Sequence, residues 1–174
     1  MNNQEVINEM IKRNSDRYIK HLTDDLDDVS LVLKSHLFIE ELLHDIILFH
    51  CKNSRPIEGI QLSFNHKLKL AEAMFGSHIP DANFPENIWP VLDALNKLRN
   101  VIAHEIDSPK LDDKLNNFLR MSEGLVGKKD VDVFTKGYLS EAEKKSKRLM
   151  ISLWKILGYL GCMHAIAFLN SPSK

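Results

Sequence analysis

A stretch near the middle of the chain places three polar side chains inside an apolar helical pattern. Residues 95–106 read LNKLRNVIAHEI and include Arg99, Asn100 and His104. A histidine titrates near neutral pH and can take a proton from a ribose 2′-hydroxyl. An arginine can bind a phosphate through two N–H donors and stabilise the charge that develops there. These residue types therefore favour metal-independent RNA cleavage that leaves a 2′,3′-cyclic phosphate and a 5′-hydroxyl, with Asn100 orienting the histidine or binding a phosphate oxygen.

Helical geometry decides how these side chains can meet. Asn100 and His104 are four residues apart and lie on one face of a helix. Arg99 and His104 are five residues apart, so their directions diverge by roughly 140°. Two copies packed about a two-fold axis would bring Arg99 of one chain to face His104 of the other. The spacing thus favours a homodimer.

Two plainer interpretations of the same residues remain open. Arg99 could form a surface ion pair with Asp93 or Glu105, a contact worth under about 1 kcal/mol. His104 could be a hydrogen-bonded histidine in the core or in an interface. An Arg-x4-His pattern is short, and it occurs by chance in many helices.

Length and composition predict one ordinary domain. The chain has 174 residues, of which 44% are hydrophobic and 27% are charged, and its net charge is −1. This length predicts a single domain over residues 1–174. The small net charge gives no global field for nucleic acid, so RNA binding would need a local patch. Cys51 and Cys162 form no CxxC pair, and the polar N-terminus is unlike a targeting peptide, so we expect a cytoplasmic protein without a membrane span.

Helical periodicity dominates the whole chain. The pattern predicts an all-α bundle of about five or six helices. A broad apolar stripe from about Val29 to Cys51 includes Leu33 and Leu37. The remaining predicted helices are residues 5–22, a short helix in SFNHKLKLAEAMFG, residues 86–106, residues 110–122 and a long C-terminal helix over about 140–170.

No other motif indicates a cofactor or a metal. Glu40 and His44 have a helical spacing that could hold a divalent ion, but a third ligand is missing. A solvated or dimer-facing polar strip that also contains His36, Glu41 and Asp45 explains these residues better. The chain has no GxxxxGK[ST] and no GxGxxG, so we expect no cofactor.

The densest basic cluster lies at the start of the last helix and contains Lys144, Lys145, Lys147 and Arg148. With Lys128 and Lys129 it could guide RNA phosphates towards a cleft. The alternative is a solvated helix face, and no aromatic residues interleave the cluster for base stacking.

The sequence LRNVIAHE, late in an all-α chain, resembles the HEPN superfamily signature RNxxAH at Arg99, Asn100, Ala103 and His104. The segments SHLFIEELLHDII and FNHKLKLAEAMFG resemble the layout of its mannitol-repressor-like branch. This resemblance covers roughly residues 29–106.

The resemblance implies a helical homodimer with two motifs in one cleft and metal-independent endoribonuclease activity. It also implies a toxin or phage-defence setting, an antitoxin or regulatory partner, and a role for Glu40 in positioning the motif arginine, Arg99. One departure is Ile106, which stands where HEPN toxins regulated by AMPylation often carry tyrosine. The alternatives are a non-catalytic regulator like the mannitol-repressor branch, or a nucleotide- or RNA-binding module that holds a phosphate without cutting.

Overall fold

The computed structural model describes residues 2–75, 88–104, 108–127, 133, 136–137 and 140–172. Within these residues there are seven helices and no strand, which confirms the predicted all-α class. The helices are α1 (Asn3–His21), α2 (Asp28–His50), α3 (Arg55–Glu58), α4 (Phe64–Met74), α5 (Ile88–His104), α6 (Leu111–Val126) and α7 (Glu141–Leu169). The prediction of five or six helices omitted α3. This helix is a single turn in a segment whose proline and glycine favour a loop.

Local side-chain bonds fix where several helices begin. The Asp27 carboxylate accepts from the Ser30 backbone N–H at 2.8 Å, at the start of α2. Ser140 and Glu143 form a reciprocal capping box at the start of α7, with bonds of 2.7 and 3.3 Å. Such bonds satisfy N–H groups that have no partner inside the helix. These residue types and spacings are local sequence signals of a helix start.

The described residues form two compact units, and two long helices contribute to both. Unit 1 lies within Met1–Asp24, Leu37–Asn83 and Leu157–Lys174. Its core contains aliphatic side chains from α2, α4 and α7, among them Leu43, Leu68 and Leu160.

At the surface of unit 1, Arg17 binds both oxygens of Glu41 at 2.7 and 2.9 Å. The same guanidinium lies 5.3 Å from the centre of the Phe38 ring. This two-point bond and ring contact join α1 to α2.

Unit 2 lies within Asp25–His36 and Phe84–Ile156. Helices α5 and α6 pack on each other, and buried side chains of α7 complete the core. Inside that core the Ser122 and Ser152 hydroxyls lie 2.8 Å apart. Whether these two units belong to the single domain predicted over residues 1–174 stays a prediction.

Helix α7 is the one helix in the described part of the chain that is long and apolar enough to cross a membrane. Within its most apolar window, 61% of the residues are buried inside the protein. Core helices of globular proteins meet the same length and composition criteria, so this feature is weak evidence for a membrane span.

Two sequence expectations for α2 were wrong. Leu37 was assigned to the apolar stripe but is 63% exposed. His36 was assigned to a solvated or dimer-facing polar strip but is only 2% exposed within the single chain. Adjacent helical residues point about 100° apart, and the inward direction here belongs to Ser35 and His36. The spacing of apolar residues alone therefore placed the buried face of this turn of α2 about one residue too far along the chain.

The observed helix ends also differ from some predictions. Helix α6 continues to Val126, beyond the predicted end at Ser122, and stops where Gly127 adopts a φ of 75°. In the last two turns of α5, Leu98 and Val101 are buried and Ile102 is partly buried. Several residues named in the sequence analysis lie outside the described residues: Glu105, Ile106, Lys128 and Lys129.

Candidate active site

Helix α5 carries the motif, and its apolar face fixes how the motif is presented. The buried side chains of α5 are Ile88, Val91, Leu92, Ala94, Leu95, Leu98 and Val101. They recur at three- and four-residue intervals, the spacing of one face of an α-helix. Pro90 lies in the first turn, where a missing N–H is tolerated. Packing of this face leaves the opposite side of α5 for polar residues.

The three motif residues lie at the C-terminal end of α5 with different exposures. Arg99 is partly buried, whereas Asn100 and His104 are exposed. Arg99 Nη1 donates to Asn100 Oδ1 at 3.2 Å. Asn100 therefore contacts the arginine in this chain, and its predicted contact with His104 or with a phosphate stays a prediction. This bond leaves other N–H groups of the guanidinium for a second acceptor.

The plainer interpretations of the motif can be compared with these positions. Asp93, one suggested partner of Arg99, pairs with Lys97 at 2.7 Å. The other, Glu105, lies outside the described residues. His104 is exposed, so the interpretation as a core histidine is wrong. The interface interpretation remains open.

A second polar contact on α5 was missed by sequence reasoning. His36 Nε2 and Asn96 Oδ1 lie 3.2 Å apart, which joins the start of α2 to α5 within unit 2. Asn96 is partly buried and precedes Asn100 by one helical turn. The partners are 60 residues apart in sequence. Only the four-residue spacing of Asn96 and Asn100 could have drawn attention to Asn96.

The weaker sequence candidates lie in unit 1. Glu40 accepts from Lys67 Nζ at 2.9 Å, and the proposed role of Glu40 towards Arg99 stays a prediction. Asp45 Oδ2 lies 3.2 Å from His164 Nε2, which links α2 to α7. No group of three or more metal-ligating side chains comes together among the residues that the structure describes.

The basic cluster at the start of α7 is largely paired with carboxylates. Lys144 binds Glu141, Lys145 binds Asp112 and Arg148 binds Glu123, at 2.7 to 2.8 Å. Lys147 is partly buried in the same turns of the helix. The pairs of Lys145 and Arg148 also join the first turns of α7 to α6, whereas the pair of Lys144 and Glu141 lies within α7.

A groove of about 390 Å³ lies along the same surface of unit 2. It is lined by Asn116, Leu119, Arg120, Glu123, Glu141, Lys144, Lys145 and Arg148. Charged side chains of both signs therefore face the groove. A phosphate entering it would compete with carboxylates already bound to three of the four cations.

Comparison of the chain with known protein families, with curated proteins and with solved structures gives no match.

Proposed function

We propose that this protein is a metal-independent endoribonuclease of the HEPN type that acts as a two-fold homodimer in a toxin or phage-defence setting. The observation that carries the proposal is the position of the motif at the end of α5. Asn100 and His104 are exposed there, and Arg99 bonds to Asn100. This position leaves the imidazole of His104 accessible to a ligand.

The proposed reaction needs only the side chains of the motif. The neutral imidazole of His104 takes the proton of a ribose 2′-hydroxyl, and the 2′-oxygen attacks the adjacent phosphorus. The bond to the 5′-oxygen breaks, and this leaving group takes the proton back from the imidazolium of His104 and becomes a 5′-hydroxyl. Arg99 binds the phosphate while negative charge develops on its oxygens. The products are a 2′,3′-cyclic phosphate and a 5′-hydroxyl end.

The test is cleavage of total tRNA and of a mixed-sequence single-stranded RNA in EDTA. We expect the wild type to cut and His104→Ala to be inactive with an unchanged melting temperature, because His104 is exposed. The matched control is His66→Ala, which removes another exposed helical histidine, on α4. It should cut like the wild type. Absence of cutting by a folded wild type, or equal cutting by His104→Ala, would contradict the proposal.

The second candidate is a non-catalytic regulator or a nucleotide- or RNA-binding module on the same fold. The pairing of Lys144, Lys145 and Arg148 with carboxylates favours it, because little free positive charge remains there to hold a long RNA. In this case Arg99 and His104 would hold a phosphate without cutting. Wild-type protein that binds RNA in the cleavage assay and leaves it intact would support this function.

A further inference from the structure

The side chain of Asn96 extends the polar row of α5 by one turn towards the N-terminus. On a helix surface, residues three and four positions apart are neighbours. Asn96 is therefore a neighbour of both Arg99 and Asn100, and Asn100 is a neighbour of His104. With a rise of 1.5 Å per residue, the row from Asn96 to His104 spans roughly 12 Å. Asn96 and Arg99 of the same chain are separated by roughly 4.5 Å along the helix axis, so Asn96 can reach a phosphate next to the one that this Arg99 binds.

The contact with His36 determines which end of the Asn96 amide is presented. Asn96 Oδ1 can only accept, so His36 Nε2 carries the proton and donates at 3.2 Å. The His36 ring is 2% exposed and is thus held by the core of unit 2. Because its oxygen is bound by His36, the NH₂ group of this partly buried amide is left for another acceptor. Among the described residues this NH₂ group has no hydrogen-bond partner.

We propose that Asn96 is a further RNA-binding residue, which donates to the phosphate next to the one held by Arg99 and His104, and that His36 is its positioning residue. The inference rests on the proposed function for the nature of the ligand. An amide that donates two N–H groups suits a phosphate oxygen, which only accepts. Asn96 thus forms a second subsite, and RNA longer than a dinucleotide gains from it.

The test measures binding separately from cleavage. Fluorescence anisotropy gives the Kd of a labelled mixed-sequence single-stranded RNA for protein carrying His104→Ala, which cannot cut it. Asn96→Asp keeps the shape and an oxygen for His36 but replaces the donating NH₂ group with a carboxylate oxygen. We expect binding to weaken about tenfold or more, as for a lost hydrogen bond to a charged group.

The matched control is Lys97→Gln in the same background. Like Asn96→Asp, it makes the net charge more negative by one. The side chain of residue 97, however, points about 100° away from that of residue 96 around the helix axis. We expect it to weaken binding clearly less than Asn96→Asp does. Equal effects of the two variants would mean that only the general charge matters, and would overturn the inference.

The positioning role of His36 is tested by rescue. His36→Gln keeps an N–H donor near the place of Nε2 and should bind RNA like the parent. His36→Leu removes the donor and should weaken binding towards the value of Asn96→Asp. Melting temperatures identify variants that fail to fold. If His36→Leu does not fold, RNA binding by His36→Gln alone tests the positioning role. Weak binding by a folded His36→Gln that equals His36→Leu would overturn the role.

The outcomes separate this inference from the proposed function. Cleavage by the wild type with no effect of Asn96→Asp would leave the nuclease and remove the subsite. Binding that depends on Asn96, without cleavage by the wild type, would keep the subsite and remove the nuclease. A folded wild type that neither cuts nor binds RNA would overturn both.

Discussion

At the scale of single residues, the motif depends on the shape of the guanidinium as well as on its charge. Arg99 bonds to Asn100 through Nη1, and this bond uses only part of its donor capacity. A lysine carries the same charge on a single ammonium group and cannot bond to Asn100 and to two phosphate oxygens in the same planar arrangement. The identity of this residue is therefore expected to matter more than its charge.

We predict that Arg99→Lys lowers kcat for RNA cleavage by about 10²-fold, as for loss of one transition-state donor. Its stability should stay within about 0.5 kcal/mol of the wild type, because no core contact is lost. Initial rates and thermal melts measure the two effects. Arg120→Lys is the control, since Arg120 bonds to Asn117 at 3.0 Å in a similar arrangement on α6. Full activity of Arg99→Lys would count against a planar phosphate contact.

The sequence identified some residues of the site and missed others for a physical reason. Arg99, Asn100 and His104 lie within six residues, so helical geometry alone relates them. The pair of His36 and Asn96 depends on how α2 packs against α5, which no local pattern encodes. The ion pairs of Lys145 and Arg148 likewise join different helices, so the cluster looked more basic from the sequence than it is in the structure.

At the scale of elements, a buried bond between two serines joins α6 to α7. The Ser122 hydroxyl donates to the Leu119 carbonyl at 2.9 Å, so its oxygen is left to accept from Ser152 at 2.8 Å. Both serines are almost fully buried. A hydroxyl that loses its acceptor in such a place keeps its desolvation cost, about 1 to 3 kcal/mol.

We therefore predict an asymmetric double-mutant cycle. Ser122→Ala should lower the free energy of unfolding by about 1 to 3 kcal/mol, because Ser152 then has no acceptor there. Ser152→Ala should cost less, because Ser122 keeps its bond to Leu119. The double variant should be more stable than Ser122→Ala alone. Denaturant unfolding measures all four proteins, and simple additivity of the two single losses would be inconsistent with this pairing.

Side chains close in sequence determine where α2 and α7 begin. The caps at Asp27 and Ser140 depend on side chains within three residues, and the structure has both. The phase of α2 was mistaken at Leu37, because burial there depends on neighbouring helices that the periodicity of one helix does not describe. The class of the fold was thus predictable from pattern, whereas the inward face of one turn was not.

At the scale of the whole molecule, the proposed active site requires two chains. Because Arg99 and His104 diverge around α5, a two-fold interface would place Arg99 of one chain beside His104 of its partner. Such an isologous interface repeats each contact twice. The dimer is therefore part of the proposed chemistry.

We predict that two inactive variants restore activity when they are mixed. In a heterodimer of Arg99→Ala and His104→Ala, one composite site keeps both functional residues and the other has neither. With random exchange of subunits, about a quarter of the wild-type rate should return. RNA cleavage after unfolding and refolding the mixture measures this, with sedimentation to establish the dimer. No gain over the separate variants would indicate that each site lies within one chain.

The paired cations at the start of α7 bear on how the protein would respond to salt. RNA binding is salt-sensitive because cationic side chains displace the counterions condensed around the phosphates. Lys144, Lys145 and Arg148 are already neutralised by carboxylates of the same chain. A phosphate that approached them would exchange one anion for another, with little net neutralisation. The dependence of RNA affinity on ionic strength should therefore be shallower than the number of basic residues suggests, and governed mainly by Arg99.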